Sequence, residues 1–319
     1  MPTEPRYRMV DRLQRDHAAE IRRLIEGLRA SPATIEPKYF YDELGCALYA
    51  AICRLDEYYP TRTEGAIFQR YRQEIAAAVG RGGTFVDLGA GDCAKAKDWL
   101  PLLAPAHYLA VDIAGPALAA ALASLAPGFP ETGMVGLVTD FSRTLEIPAE
   151  LLTDPVTVFY PGSSIGNFTP PEATRFLEEI RRYTRANGGL LIGVDARKDK
   201  ARLAAAYADA LGVTAAFNRN ALRHINRLIG TDFCESDWHH VGTYNEAQGR
   251  IEMHLEARTP QTVMIDGTPR AFAAGERIHS ENSYKYSREA FASMLHAAGF
   301  GNLRLWTTED SAFWVFHAR

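Results

Sequence analysis

Cysteine is scarce in this 319-residue chain: Cys46, Cys53, Cys93 and Cys234 are the only four. No two are spaced as CxxC, and the nine histidines contain no HExxH or similar pair. No metal site is therefore expected. So few thiols, without a pairing pattern, suit reduced cysteines in a cytoplasmic protein. Basic runs are missing too. Lys and Arg number 35 against 39 Asp and Glu, a formal net charge of −4, which is not the footprint of a nucleic-acid binder. No apolar run approaches the ~18 residues of a membrane-spanning helix. The opening "MPTEPRYRMVDRLQRD" lacks the apolar core of a secretory signal. Neither nucleic acid nor membrane is expected as a partner, and a monomer is expected. What is present is ordinary for a globular protein: 47% hydrophobic and 23% charged residues, in a chain long enough for one or two domains with a large core.

Residues 11–30, 41–55 and 63–79 read as amphipathic helices, the third stopping at Gly80, Gly82 and Gly83. The pattern then changes. "TFVDLGAG" (84–91), "YLAVDI" (108–113), "MVGLVTD" (134–140), "VTVFY" (156–160) and "LLIGVDA" (190–196) are short apolar runs. Helical segments at 93–103, 115–126 and 170–186 separate most of them. Alternation of this kind predicts an α/β fold, a parallel sheet with helices on both faces. From 200 to 285 the pattern changes again. Two helices (200–211 and 214–229) precede "RIEMHLEAR", which alternates with Ile251, Met253, Leu255 and Ala257 on one face. "TVMIDGTPRAF" follows with an Asp266-Gly267 hairpin turn, then "ERIHSENSYKY". This stretch reads as an α+β insertion, and the tail "LRLWTTEDSAFWVFHAR" as a terminal antiparallel hairpin.

"VDLGAGDCA" joins the first sheet strand to a helix, and Gly89-x-Gly91-x-x-Ala94 satisfies the loose dinucleotide fingerprint. Asp112, 23 positions after Gly89, ends the next strand and suits ribose hydroxyls. Asp87 and Asp92 flank the glycines, and they would repel a pyrophosphate at this helix N-terminus. S-adenosylmethionine (SAM) has no phosphate and carries a sulfonium and an ammonium, so carboxylates favour it. Asp140, followed by Phe141, ends the third strand, the position at which SAM enzymes meet the adenine amino group with a carboxylate and a backbone N–H.

Gly162-Ser163-Ser164-Ile165-Gly166 fits G-x-S-x-G, the nucleophile elbow of serine hydrolases. An elbow needs its helix to start directly after the serine. Here the cap is Thr169, with Pro170 at the first helical position and Glu172 completing a capping box. A hydrolase with Ser164 as nucleophile is the disfavoured alternative. The loop instead leads to Asn167, whose amide both donates and accepts.

"EYYPTRTE" (57–64), "DLGAGDCAK" (87–95), "YPGSSIGNFTP" (160–170), "GVTAAFNRNAL" (212–222), "RIEMHL" (250–255) and "HSENSYKYS" (279–287) together resemble the ergothioneine-pathway L-histidine Nα-methyltransferases, from about residue 36 to the end. The resemblance implies SAM-dependent trimethylation of the α-amine of L-histidine to hercynine. It implies a Rossmann-like class I methyltransferase sheet with an inserted substrate-binding domain. The division is then 1–60 as N-terminal helices joining the substrate domain, 61–198 as the SAM-binding domain, 199–285 as the insertion and 286–319 as the closing hairpin. Carried over by position, Gly89, Gly91, Lys95, Asp112, Asp140 and Phe141 contact SAM. Asn167 and Tyr207 hold the substrate's carboxylate and amine. Tyr41 and Tyr58 line the amine and imidazole, and Tyr41 and Asn167 are the catalytic residues it implies. Glu281 and Ser283 bind the imidazole, and Met253 packs against it. The residues agree at one point. Glu281 and Ser283, at i and i+2 of a strand, lie ~6.5–7 Å apart on one face and can address one two-nitrogen ring. Relatives acting on tryptophan or another amino acid, the alternative substrates, are expected to lack this pair. The chain departs from the family at Asp92 and Cys93, where small hydroxyl residues are expected.

Overall fold

The computed structural model describes residues 7–13, 17–184 and 187–319. The opening residues 1–6 and 14–16, the latter inside the helix expected over 11–30, lie outside them. So do residues 185 and 186, at the end of the helix expected over 170–186. The chain divides into two compact units. One is Met1–Gln14, Thr63–Ala196 and Tyr286–Arg319; the other is Arg15–Arg62 and Arg197–Lys285. Each has its own apolar core.

The first unit is built on an eight-stranded sheet. Its spatial order is Tyr7–Asp11, Gly133–Val138, His107–Asp112, Thr84–Leu88, Val156–Tyr160, Gly189–Asp195, Phe313–Ala318, Leu303–Thr307. Pairing is parallel up to Gly189–Asp195, and Phe313–Ala318 runs antiparallel beside it. This is a Rossmann-like sheet as the sequence predicts, closed by the expected terminal hairpin. Every residue of Thr84–Leu88, Val156–Tyr160 and Gly189–Asp195 is buried, which is why these strands read as continuous apolar runs. The strand order reverses at Thr84–Leu88: the chain leaves it towards His107–Asp112 on one side and reaches Val156–Tyr160 on the other. In open α/β sheets, ligands bind at the carboxyl ends of strands beside such a reversal. Tyr7–Asp11 extends the sheet as an edge strand beside Gly133–Val138. Five residues interrupted by Arg8 carry too little alternation for the sequence to announce it.

The second unit holds a four-stranded sheet in the order Ala33–Thr34, Arg277–Tyr284, Arg250–Ala257, Trp238–Asn245. In Arg250–Ala257 burial alternates as the sequence predicts, with Ile251, Met253, Leu255 and Ala257 all in the core. The hairpin Gln261–Ile265 with Thr268–Phe272 turns on Asp266 and Gly267. Both have positive φ, 51° and 70°, the conformation of a type I′ turn. The helix Val213–Ile229 buries Phe217, Ala221, Leu222 and Ile225. It starts where the Asp209 carboxylate accepts from the backbone N–H groups of Val213 and Thr214, both at 2.8 Å. The preceding helix, expected over 200–211, is shorter, Lys200–Ala205. The helix expected over 63–79 is two, Tyr59–Arg70 and Arg72–Val79, broken at Tyr71. The other two N-terminal helices are His17–Arg29 and Glu43–Ile52.

Candidate active site

The carboxyl end of Thr84–Leu88 runs into Gly89 and Gly91, whose φ angles are 72° and 53°. This left-handed backbone is the reason for glycine at both positions. Asp112 ties the loop down: its carboxylate accepts from the N–H of Gly91 and of Ala114, each at 2.9 Å. A carboxylate offers about four lone-pair sites, so acceptor capacity remains for two ribose hydroxyls. Asp140 accepts from the Ser142 N–H at 3.0 Å. Next to it, the Phe141 ring stacks on Phe176 with centroids 5.9 Å apart and meets Tyr160 edge-on at 6.1 Å. Just before the following helix, the Asp92 carboxylate accepts from the Ala94 N–H at 3.1 Å. Cys93, buried, holds a left-handed φ of 56° just before that helix.

Asp87 is the acid this loop hides. It is 2% exposed and accepts from the Tyr108 hydroxyl at 2.9 Å. Burial pushes its carboxyl up to about 7, against the opposing pull of Tyr108 and the Lys95 charge. The unfolded chain ionises near 4 and the folded one near 7. The stabilisation from a neutral Asp87 is therefore full below pH ~4 and lost as pH rises through about 7. Asp87→Asn, which retains an acceptor for Tyr108, is expected to make the ligand-free protein more stable to urea above neutral pH. It is also expected to weaken binding of cationic SAM. Lower stability of this variant than of wild type above neutral pH would contradict the assignment.

Sequence patterning does not single out Glu64, which is fully buried on the helix Tyr59–Arg70. One carboxylate oxygen meets the Lys95 ammonium at 2.5 Å, and the other accepts from the Gly162 N–H at 2.7 Å. Glu64 thus joins the helix after the glycine loop to the loop after Val156–Tyr160. Lys95, expected to contact SAM, has its ammonium on Glu64 and a side chain 38% exposed. The available signal is a carboxylate on the same helical face as buried Ile67, three residues on.

Ser164 is exposed and opens a 3₁₀ turn, Ser164–Asn167. The α-helix starts only at Pro170, and Glu172 reaches back to the Thr169 N–H at 2.9 Å, as a capping box requires. The positive φ falls on Ser163 instead, at 61°, whose Oγ accepts from the Asp195 N–H at 2.8 Å. This is a braced loop and not an elbow. Ser164→Ala is expected to leave methyl transfer within about twofold of wild type, as for an ordinary exposed side chain. A burst of p-nitrophenol from an ester would revive the hydrolase reading. Asn167 ends the 3₁₀ turn, half-buried.

The remaining sequence-predicted residues lie in the other unit. Tyr58 and Tyr207 are buried with ring centroids 6.2 Å apart. Tyr41 packs edge-on to Tyr49 at 5.7 Å and to Phe217 at 5.6 Å. Met253, 1% exposed, faces Glu281 across the sheet. That register depends on a β-bulge. Before it, Ile278 opposes Leu255 and His279 opposes His254; after it, Glu281 opposes Met253 and Ser283 opposes Ile251. The additional residue is Ser280, whose hydroxyl donates to the Asn218 side-chain oxygen at 2.7 Å and contacts the Met253 carbonyl at 3.1 Å. Without it, period-two alternation from Ile278 would turn Glu281 and Ser283 away from the Met253 face. Bulges re-aim side chains in this way beside functional sites. Lys285 is a second residue that sequence patterning does not single out. It is 1% exposed and donates to the Ser283 Oγ at 2.9 Å and the Tyr207 hydroxyl at 3.1 Å. Period two from Glu281 and Ser283 is the signal that could have found it.

A family model described as "Histidine-specific methyltransferase, SAM-dependent" matches residues 20–319. This chain belongs to that family. Among its relatives, the histidine N-alpha-methyltransferase of Mycolicibacterium smegmatis is 38% identical over 94% of this chain and 95% of its own length. Ergothioneine biosynthesis protein 1 of Neurospora crassa is 33% identical over 86% of this chain, which matches 32% of that longer protein. Of solved structures, that of the CcbJ methyltransferase from Streptomyces caelestis is similar at 14% identity, with a TM-score of 0.47 over 79% of this chain and 89% of that one. The enzyme is accordingly a SAM-dependent methyltransferase of the histidine-specific family. Glycines of left-handed φ, strand-end acids and a buried carboxylate fit a sulfonium cofactor better than a pyrophosphate. Among the described residues no group of His, Cys, Asp and Glu is arranged to hold a metal ion, and no helix is long and apolar enough to cross a membrane.

Proposed function

We propose that this enzyme transfers three methyl groups in succession to the α-amine of L-histidine, giving hercynine. The carrying observation is the bulge that sets Glu281 and Ser283 on the face of Met253. A carboxylate and a hydroxyl there can address both nitrogens of one imidazole, with the thioether against the ring plane. Gly89, Gly91, Lys95, Asp112, Asp140 and Phe141 are the residues assigned to SAM, which supplies an electrophilic methyl carbon. Lys95 acts through its ion pair with Glu64. Asn167 and Tyr207 are assigned to the substrate's carboxylate and amine.

The chain's task is to hold a neutral amine, stripped of water, in line with that carbon. Each transfer forms one N–C bond and breaks one S–C bond. The ammonium must lose a proton before each attack, and the quaternary product has none left to lose. The rings of Tyr41 and Tyr58 suit the growing cation. A net charge of −4 and no basic run suit a small-molecule substrate and not a nucleic acid; a monomer in the cytoplasm is part of the same proposal. Calorimetry in the presence of S-adenosylhomocysteine is expected to show L-histidine binding and L-tryptophan not. Preferential tryptophan binding would move the enzyme to the other branch of amino-acid N-methyltransferases.

A further inference from the structure

Three side chains at the Glu281 face form a closed triangle. Tyr207 donates its hydroxyl to Ser283 Oγ at 2.8 Å, and Lys285 Nζ donates to Ser283 Oγ at 2.9 Å and to the Tyr207 oxygen at 3.1 Å. All three residues are at least nine-tenths buried. A lysine ammonium has donors only, and a phenol is a stronger donor than an aliphatic hydroxyl. Ser283 Oγ therefore accepts twice and uses both lone pairs. What it retains for a ligand is its own O–H.

We infer that Lys285 is a positioning residue that fixes Ser283 as a hydrogen-bond donor, so that the site selects the neutral imidazole of histidine in one tautomer. The inference rests on the reading of Glu281 and Ser283 as the imidazole site. Glu281, two positions back on the same face, is an acceptor when ionised. An imidazole meeting this pair must offer an N–H to Glu281 and a bare nitrogen to Ser283. The imidazolium has two N–H groups and no acceptor, so it leaves the Ser283 hydroxyl facing a donor. An indole likewise has an N–H and no second nitrogen. Lys285 thus sets hydrogen-bond polarity without touching the substrate ring, and the same polarity rejects both imidazolium and indole.

Other titratable groups surround the triangle. Tyr58 lies beside Tyr207, and His240 is hydrogen-bonded through its two ring nitrogens to Asn218 and the Tyr207 carbonyl. Asp209 lies close enough to act on the His240 charge. Across the sheet, Arg250, Glu252 and His254 alternate with the buried residues of their strand, and His279 opposes His254. Burial holds His240 and His254 below the ordinary histidine value.

The test is calorimetric, with S-adenosylhomocysteine present, at about pH 5.5 and about pH 7.5. A ring that titrates near 6.5 is mostly charged at the first and mostly neutral at the second. Wild-type affinity for L-histidine is expected to rise about tenfold between the two. For 2-fluoro-L-histidine, whose ring stays neutral throughout, it is expected to be flat. Titrations of the protein's own groups act on both ligands alike, so the difference between them reports the ligand ring. In Lys285→Met, Ser283 regains a lone pair and the ratio for L-histidine is expected to fall below about threefold, more than overall affinity alone would change it. Tyr207→Phe removes the other donor and is expected to move the ratio the same way, which keeps the test available if Lys285→Met does not fold. A flat wild-type profile, or equal ratios in wild type and both variants, overturns the inference while leaving histidine as substrate. Failure of L-histidine to bind at either pH, with S-adenosylhomocysteine still bound, overturns the functional reading itself.

Discussion

Glu281→Ala is expected to raise the dissociation constant for L-histidine by roughly 10- to 150-fold, the equivalent of ~1.5–3 kcal/mol for a hydrogen bond to a charged group. Binding of S-adenosylhomocysteine is expected to change far less, because Glu281 is not among the residues assigned to the cofactor and pairs across its sheet with Met253. The loss is large because Glu281 is the carboxylate assigned to the imidazole N–H, on the face it shares with Met253 and Ser283. Glu281→Gln retains an acceptor oxygen without the charge and is expected to fall between. Calorimetry with both ligands separates the outcomes. Unchanged histidine affinity would remove Glu281 from the ring site, and parallel loss of both ligands would mark a folding defect.

Glu64→Ala is expected to cost about 3 kcal/mol of folding stability, measured by urea unfolding. Removing one partner of a buried ion pair typically costs ~3–5 kcal/mol; the lower end applies because Lys95 is 38% exposed, and water takes over part of its solvation. The substitution strips the Lys95 ammonium and the Gly162 N–H of the same partner. It also leaves a void against Gly193, where any Cβ would lie 1.9 Å from the present carboxylate oxygen. Because Glu64 links the helix after the glycine loop to the loop carrying Asn167, S-adenosylhomocysteine affinity is expected to drop as well. Stability within about 1 kcal/mol of wild type, an ordinary surface effect, would show that the pair is structurally idle.

The parts of the fold visible in the sequence are those that local patterning dictates. Continuous apolar strands, the Thr169–Glu172 capping box, the Asp266-Gly267 turn and the alternation of Arg250–Ala257 all reappear in the structure. What stays hidden depends on contacts distant in sequence. Tyr7–Asp11 becomes a strand only because Gly133–Val138 offers it an edge. The bulge residue Ser280 is held by Asn218, 62 positions earlier on the helix Val213–Ile229. Alternation puts Glu281 and Ser283 on one face, but which face depends on that bulge. Glu64 and Lys285 look like ordinary charged residues until packing buries them. Glu64 and Ser280 find their partners on other elements, and of Lys285's two partners only Ser283 is near in sequence, while Tyr207 is 78 positions away.

The most direct test of the account is mass spectrometry of the purified enzyme incubated with SAM and a pool of all the common amino acids. Histidine alone is expected to be modified, with an end product that gains three methyl groups on the α-nitrogen. Methylation of tryptophan or another amino acid in preference to histidine, or transfer to an imidazole nitrogen, would contradict it.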